Sequence, residues 1–127
     1  MNLDFIDQIN FNENGLIAAI SVDVDSGDVL MMAWMNKEAI METLQKNQVC
    51  YWSRSRKKLW RKGEQSGNQQ QLVEMLLDCD KDTILLKVRQ KGAACHTGRK
   101  DCFFYKVTDS GLKIISEPIQ NPEDLYK

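Results

Sequence analysis

Apolar residues recur along this chain at two spacings, and the spacings separate its elements. Residues 16–22 and 29–34 are apolar and β-permissive, and Asp25-Ser26-Gly27-Asp28 between them has the side-chain and glycine chemistry of a turn, so a β-hairpin is expected there. Over residues 36–47 the pattern becomes helical. Asn36 is a capping residue, Ile40, Met41 and Leu44 form one stripe, and Met35 before the cap can pack on Ile40 as a hydrophobic staple. Strand-like segments follow at 48–53, 71–77 and 83–88, and a last hairpin is expected from 103–107 and 112–115 across Thr108-Asp109-Ser110-Gly111. Residues 53–68 have no clean period and end in turn residues, which reads as an ordered loop. The tail, with Pro118 and Pro122, reads as irregular chain or a short helix. The fold class this predicts is α+β, a small, mostly antiparallel β structure with one main helix at residues 36–47.

The length of 127 residues makes residues 1–127 a single domain, large enough to bury roughly two thirds of its unfolded surface without staples. A net charge of -1 gives no global attraction to nucleic acid or anionic membranes, so any basic site must be local. Acids at Asp4 and Asp7 stand where a signal peptide would carry basic residues. The longest apolar run, residues 29–35, is far short of the roughly 20 residues that span a bilayer. A cytoplasmic protein is the expectation. In a reducing compartment the four cysteines are then free, catalytic or metal-bound in preference to disulfide-paired.

That matters most between residues 78 and 102, where the three aspartates of residues 78–82, three thiols and the chain's one histidine are concentrated. In an extended Asp78-Cys79-Asp80-Lys81-Asp82 segment the three aspartates share one face and Cys79 points away. Hard oxygen ligands suit Mg²⁺ or Ca²⁺ and soft thiolates suit Zn²⁺, so one short peptide can serve two metals. An EF-hand does not fit, because Thr83 and Arg89 fall where glycine and glutamate are needed. A solvated acidic turn is the plain alternative. Cys95 follows Cys79 by sixteen residues and Cys102 follows Cys95 by seven, which is not the spacing of a zinc ribbon. Each thiol could instead be a small buried hydrophobe, as is expected of Cys50 in its apolar strand. If the three do hold zinc, His96 either closes the site or stands beside an open position as an acid/base group.

Reach adds a constraint. If residues 80–82 turn a hairpin, the following strand carries the chain roughly 23 Å away from Cys79, and residues 90–95 return at most about 17 Å. Cys79 and Cys95 of one chain are then too far apart to share an ion. A site combining them needs Cys79 from one subunit and Cys95 and Cys102 from another.

A second concentration lies upstream. Arg54, Arg56, Lys57, Lys58, Arg61 and Lys62 fall within nine residues, interleaved with Ser53, Ser55 and Trp60 and followed by Gly63 and Ser66-Gly67-Asn68. Arginine forks and backbone amides near glycine suit phosphate oxygens, and a tryptophan can stack on a base. A phosphorylated nucleotide fits this loop. The alternatives are a solvated charged loop or a nucleic-acid groove, the latter disfavoured by the net charge.

Taken together, Tyr51-Trp52-Ser53-Arg54-Ser55-Arg56, Leu59-Trp60-Arg61-Lys62-Gly63-Glu64-Gln65-Ser66-Gly67-Asn68, Asp78-Cys79-Asp80-Lys81-Asp82 and Ala94-Cys95-His96-Thr97-Gly98 with Cys102-Phe103 resemble the phosphoribosyl-AMP cyclohydrolases of histidine biosynthesis. The resemblance covers residues 12–107, with its four motifs in order. It implies a cytoplasmic homodimeric hydrolase, in the stand-alone form without a pyrophosphohydrolase domain, that opens the adenine ring of phosphoribosyl-AMP between N1 and C6. It also implies Zn²⁺ on Cys79, Cys95 and Cys102, shared across an intimate dimer on the reach constraint, and Mg²⁺ on Asp78, Asp80 and Asp82.

Beside that resemblance, His96 is the candidate for proton transfer, with Glu64 as the second. Arg54, Arg56, Trp60, Arg61, Lys62 and Ser66 are the candidates for holding the substrate. Neither nucleic acid nor membrane is an expected partner. Two other readings stay open: a structural Cys₃His zinc module binding nucleic acid through residues 54–62, and a zinc nucleotide deaminase.

Overall fold

The structure is a computed structural model and describes residues 2–125. β1 (Ile17–Asp23) and β2 (Val29–Met35) form the expected hairpin, with Ile17 opposite Met35 and a bulge at Ser21/Val22. Helix α1 (Lys37–Lys46) starts where the capping residue places it, the Asn36 side chain accepting from the Ala39 amide at 2.8 Å. It ends at Asn47, whose φ of 56° is left-handed and whose N–H returns to the Thr43 carbonyl. Ile40 and Met35 are both fully buried in one core cluster, as a staple requires.

After β3 (Cys50–Ser53) the expected loop contains a strand, β4 (Lys58–Arg61), paired antiparallel to β3 from Cys50 opposite Arg61 to Ser53 opposite Lys58. Tertiary pairing overrides local pattern here. β4 is one of the sheet's two edge strands, where charged residues protect an edge, and Trp60 packs tilted on Tyr51 at 5.5 Å between centroids. β5 (Gln70–Leu77) and β6 (Thr83–Gln90) form a second hairpin, and β7 (Tyr105–Thr108) with β8 (Gly111–Ile114) a separate small sheet. A 3₁₀ turn at Asp4–Gln8 buries Ile6, and the tail ends in the short helix α2 (Pro122–Leu125).

The main sheet has the order β4-β3-β2-β1-β6-β5. β1 and β6 run parallel and the other adjacent pairs are antiparallel, so α+β and mostly antiparallel hold for the described residues. Alternation gives the sheet two unlike faces. Ile17, Ala19 and Ser21 of β1 and Ile84, Leu86 and Val88 of β6 are buried, while Ala18, Ile20 and Leu85 between them are half-buried. A buried polar relay crosses the sheet and fixes its register. Tyr51 Oη donates to Gln70 Oε1 at 2.6 Å, and Gln70 Nε2 donates to Ser21 Oγ at 3.1 Å and Gln90 Oε1 at 2.9 Å.

Candidate active site

Beside this relay opens a cleft of about 320 Å³. The β3–β4 turn contributes Ser53, Ser55 and Arg56, β4 and the residue after it Trp60 and Lys62, and the next turn Gly63, Glu64, Gln65 and Ser66. Met31 of β2 and Ala94, His96 and Cys102 complete the lining. Gly63 permits that turn: its φ is +85°, and a Cβ there would meet the Gln69 amide nitrogen at 2.5 Å.

Residues 92–102 form a coiled loop held from within and from without. Inside it, the Cys95 amide donates to the Arg99 carbonyl at 3.1 Å and the Ala94 amide to the Lys100 carbonyl at 3.0 Å, while the Cys102 amide anchors on Leu30 at 2.7 Å. Outside, the chain before α2 acts as a strap. The Ile119 and Gln120 amides donate to the Gly98 carbonyl, Gln120 Oε1 accepts from the Ala93 amide at 2.8 Å and from Asn68 Nδ2 at 2.8 Å, and Arg99 Nε donates to the Ser116 carbonyl at 2.9 Å. Gly98, at φ +84°, lies so close that a side chain would run into the Gln120 carbonyl.

The loop brings Cys95 and Cys102 together. Burial of the Cys102 thiol, then the neighbouring Cys95 thiol, pushes Cys102 up to about 12. Thr97 Oγ1 donates to Cys95 Sγ at 3.1 Å, and the Lys62 ammonium lies close enough to favour the Cys102 thiolate. Two convergent thiols with a fixed donor and a cation beside them form a donor set suited to a soft metal ion. His96 is exposed at the mouth, with Glu64 on the facing turn.

Cys79 is elsewhere. It is exposed in the β5–β6 turn, at the opposite end of β6 from the cysteine loop, and does not join the other two thiols within one chain. Its neighbours Asp78, Asp80 and Asp82 do converge, with ligand atoms within 4.8 Å of one another, but not by strand alternation as the sequence suggested. Residues 79–82 turn, with Lys81 at φ 58°, because the Asp78 carboxylate accepts the amides of Asp82 at 3.0 Å and Thr83 at 3.3 Å. The Asp78 carboxyl raises Asp82 above its ordinary range, while Asp78, despite some desolvation, is drawn below its own by these hydrogen bonds. Three carboxylates crowded into one turn are a donor set that a hard dication would neutralise.

The basic residues divide. Arg56, Lys62 and Ser66 line the cleft with Trp60. Arg54 stacks 4.9 Å over the Trp34 ring in an adjoining open groove of about 580 Å³ that shares Ser53, Ser55 and Trp60 with the cleft. Arg61 lines neither, since its alternation on β4 aims it at α1, where Nε and Nη2 donate to the Glu42 carboxylate at 2.9 and 2.8 Å. Cys50 is fully buried, and burial followed by Glu42 pushes its thiol up to about 12, so it is an inert core residue. The sequence carried no signal for Met31 or the strap residue Gln120, because uncharged residues become part of a site only through contact.

A small α+β protein that sets a thiol pair, a histidine and a basic wall around one cleft is built as an enzyme for a phosphorylated small molecule. Residues 31–104 match the family model described as Phosphoribosyl-AMP cyclohydrolase. A phosphoribosyl-AMP cyclohydrolase of Alcanivorax borkumensis is 57% identical over 121 residues, covering 95% of this chain and 85% of the relative. One of Chlorobium chlorochromatii is 57% identical over 122 residues, covering 95% and 89%. A protein of Pseudomonas fluorescens named phosphoribosyl-AMP cyclohydrolase 2 is 54% identical over 116 residues, covering 91% and 79%. The chain belongs to the phosphoribosyl-AMP cyclohydrolase family.

Proposed function

We propose that this chain hydrolyses the adenine ring of phosphoribosyl-AMP at the N1–C6 bond, as a step of histidine biosynthesis, in a metal-dependent site completed by a second copy of the chain. The observation that carries the reading is the cleft that sets Cys102 and His96, with Cys95 buried beside them, against a basic, tryptophan-edged wall in a member of this family. Cys95 and Cys102, with Cys79 of a second copy, would hold Zn²⁺. Bound there, that ion would supply Lewis acidity and an activated water. Asp78, Asp80 and Asp82 would hold Mg²⁺.

This chain's own residues do the rest. Arg56 and Ser66 grip a phosphate, Arg54 in the adjoining groove takes the substrate's other phosphate, and the Trp60 ring borders the base. As water adds to C6 and the N1–C6 bond breaks, one proton leaves the water and one arrives at N1. His96, exposed at the mouth, moves that proton, with Glu64 as the second candidate. Arg61 is withdrawn from the phosphate set because Glu42 occupies it.

The second copy is supported by surface as well as by reach. The β7–β8 hairpin and its flanks expose Val107 at 80% and Leu112 at 67%, together with Phe103, Tyr105 and Ile115, an apolar patch suited to burial against another chain. The reading is tested by incubating the purified protein with phosphoribosyl-AMP, with and without a zinc chelator, and following ultraviolet absorbance. Chelator-sensitive loss of the intact adenine chromophore is expected, and no absorbance change with any added metal contradicts it. Release of ammonia would instead identify a deaminase.

A further inference from the structure

The sequence placed Lys62 among the phosphate holders, but its surroundings fit other work. It is only 6% exposed, and its Nζ donates at 2.6 Å to the carbonyl of Ala94, the peptide that leads into Cys95. The Trp60 ring covers it at 5.3 Å. None of the ion pairs among the described residues gives it a carboxylate. A buried ammonium without a counter-charge is costly. The groups that border it are the loop's cysteines, Cys102 in the lining of the same cleft and Cys95 directly after Ala94.

We propose that Lys62 is a positioning residue for the cysteine pair, its ammonium fixing the Ala94–Cys95 peptide and supplying the counter-charge to the Cys95 and Cys102 thiolates. The proposal rests on the reading above, that these thiols hold a soft dication. Three thiolates around such an ion leave one net negative charge, which weakens its pull on electrons. A fixed ammonium beside two of them cancels that charge without occupying a coordination position. A single contact thus serves loop geometry and thiolate charge together. Lysine suits the position because its point charge sits at the end of an apolar stem that Trp60 can cover.

The test compares wild type with Lys62→Met, Lys62→Gln and Lys62→Arg. Zinc affinity is read by competition with a chromophoric chelator, and kcat and KM are measured separately on phosphoribosyl-AMP. Both uncharged variants are expected to lose about tenfold or more in zinc affinity, the usual effect of removing a group that supports a metal ligand, with kcat falling more than KM rises. Lys62→Gln keeps a donor for the Ala94 carbonyl and decides the matter should Lys62→Met fail to fold. Lys62→Arg should recover most of the affinity. Unchanged zinc affinity with a raised KM would make Lys62 a phosphate holder and overturn the proposal, as would a Lys62→Arg variant as weak as Lys62→Gln. Zinc competition does not depend on turnover. A wild-type protein that binds zinc yet leaves phosphoribosyl-AMP intact therefore contradicts the functional reading alone, and an unchanged Lys62→Gln affinity contradicts this proposal alone.

Discussion

Thr43 carries a hydroxyl into a fully buried position on α1, where it accepts from the Cys50 amide at 2.9 Å and donates to the Cys50 carbonyl at 3.2 Å. Thr43→Val keeps the shape and orphans both backbone groups, so urea unfolding should show a loss of about 1–3 kcal/mol. Glu42, one residue earlier, is lowered below its ordinary pKa, first by its hydrogen bonds with Arg61. It therefore stays ionised to a lower pH in the folded protein than in the unfolded chain, and unfolding takes up a proton between the two values. Its stabilisation is complete above the ordinary carboxylate range and disappears as pH falls through the folded value. Because Arg61 is half exposed, Glu42→Gln should cost no more than about 1 kcal/mol at neutral pH, and thermal unfolding of the two proteins should converge in acid. The sequence displayed the cysteines, aspartates and His96 because their chemistry is in the side chain itself. It could not display Glu42 as the partner of Arg61, since nineteen residues separate them and only the packing of α1 on β3 and the pairing of β3 with β4 bring them together.

The hairpin of β1 and β2 and the helix after it were legible because each carries its own period, turn and cap. Asn36→Ala should accordingly cost about 1 kcal/mol by removing the bond to the Ala39 amide, measurable by chemical denaturation. β4 was hidden because its alternation is written in lysine and arginine on an edge strand, and its stability comes from β3 and Tyr51. The strap was hidden more thoroughly. Nothing in Ile119 or Gln120 announces that they hold the cysteine loop at Gly98 and Ala93. Gln120→Ala removes the acceptor for the Ala93 amide and for Asn68, and is expected to weaken zinc binding while leaving far-ultraviolet circular dichroism unchanged. An affinity equal to wild type would limit the strap to a stabilising role.

The core cluster of sheet and helix excludes Cys95 and Cys102, so the domain has a hydrophobic interior independent of metal. Cys95→Ser is therefore expected to be folded and inactive, which separates this protein from a zinc module that unfolds without its ion. No described helix is long and apolar enough to cross a membrane. At this scale the sequence was most informative through simple chain reach, which set Cys79 apart from the other thiols before any fold was in view. The most direct measurement is turnover of phosphoribosyl-AMP by mixed subunits. Cys79→Ser and Cys95→Ser proteins, each inactive alone, are unfolded together, refolded and assayed beside wild type. If a second copy completes each site, random pairing makes half the dimers mixed with one intact site apiece, and about a quarter of wild-type activity should return. A mixture no more active than its two parents, beside an active wild type, would contradict the shared site.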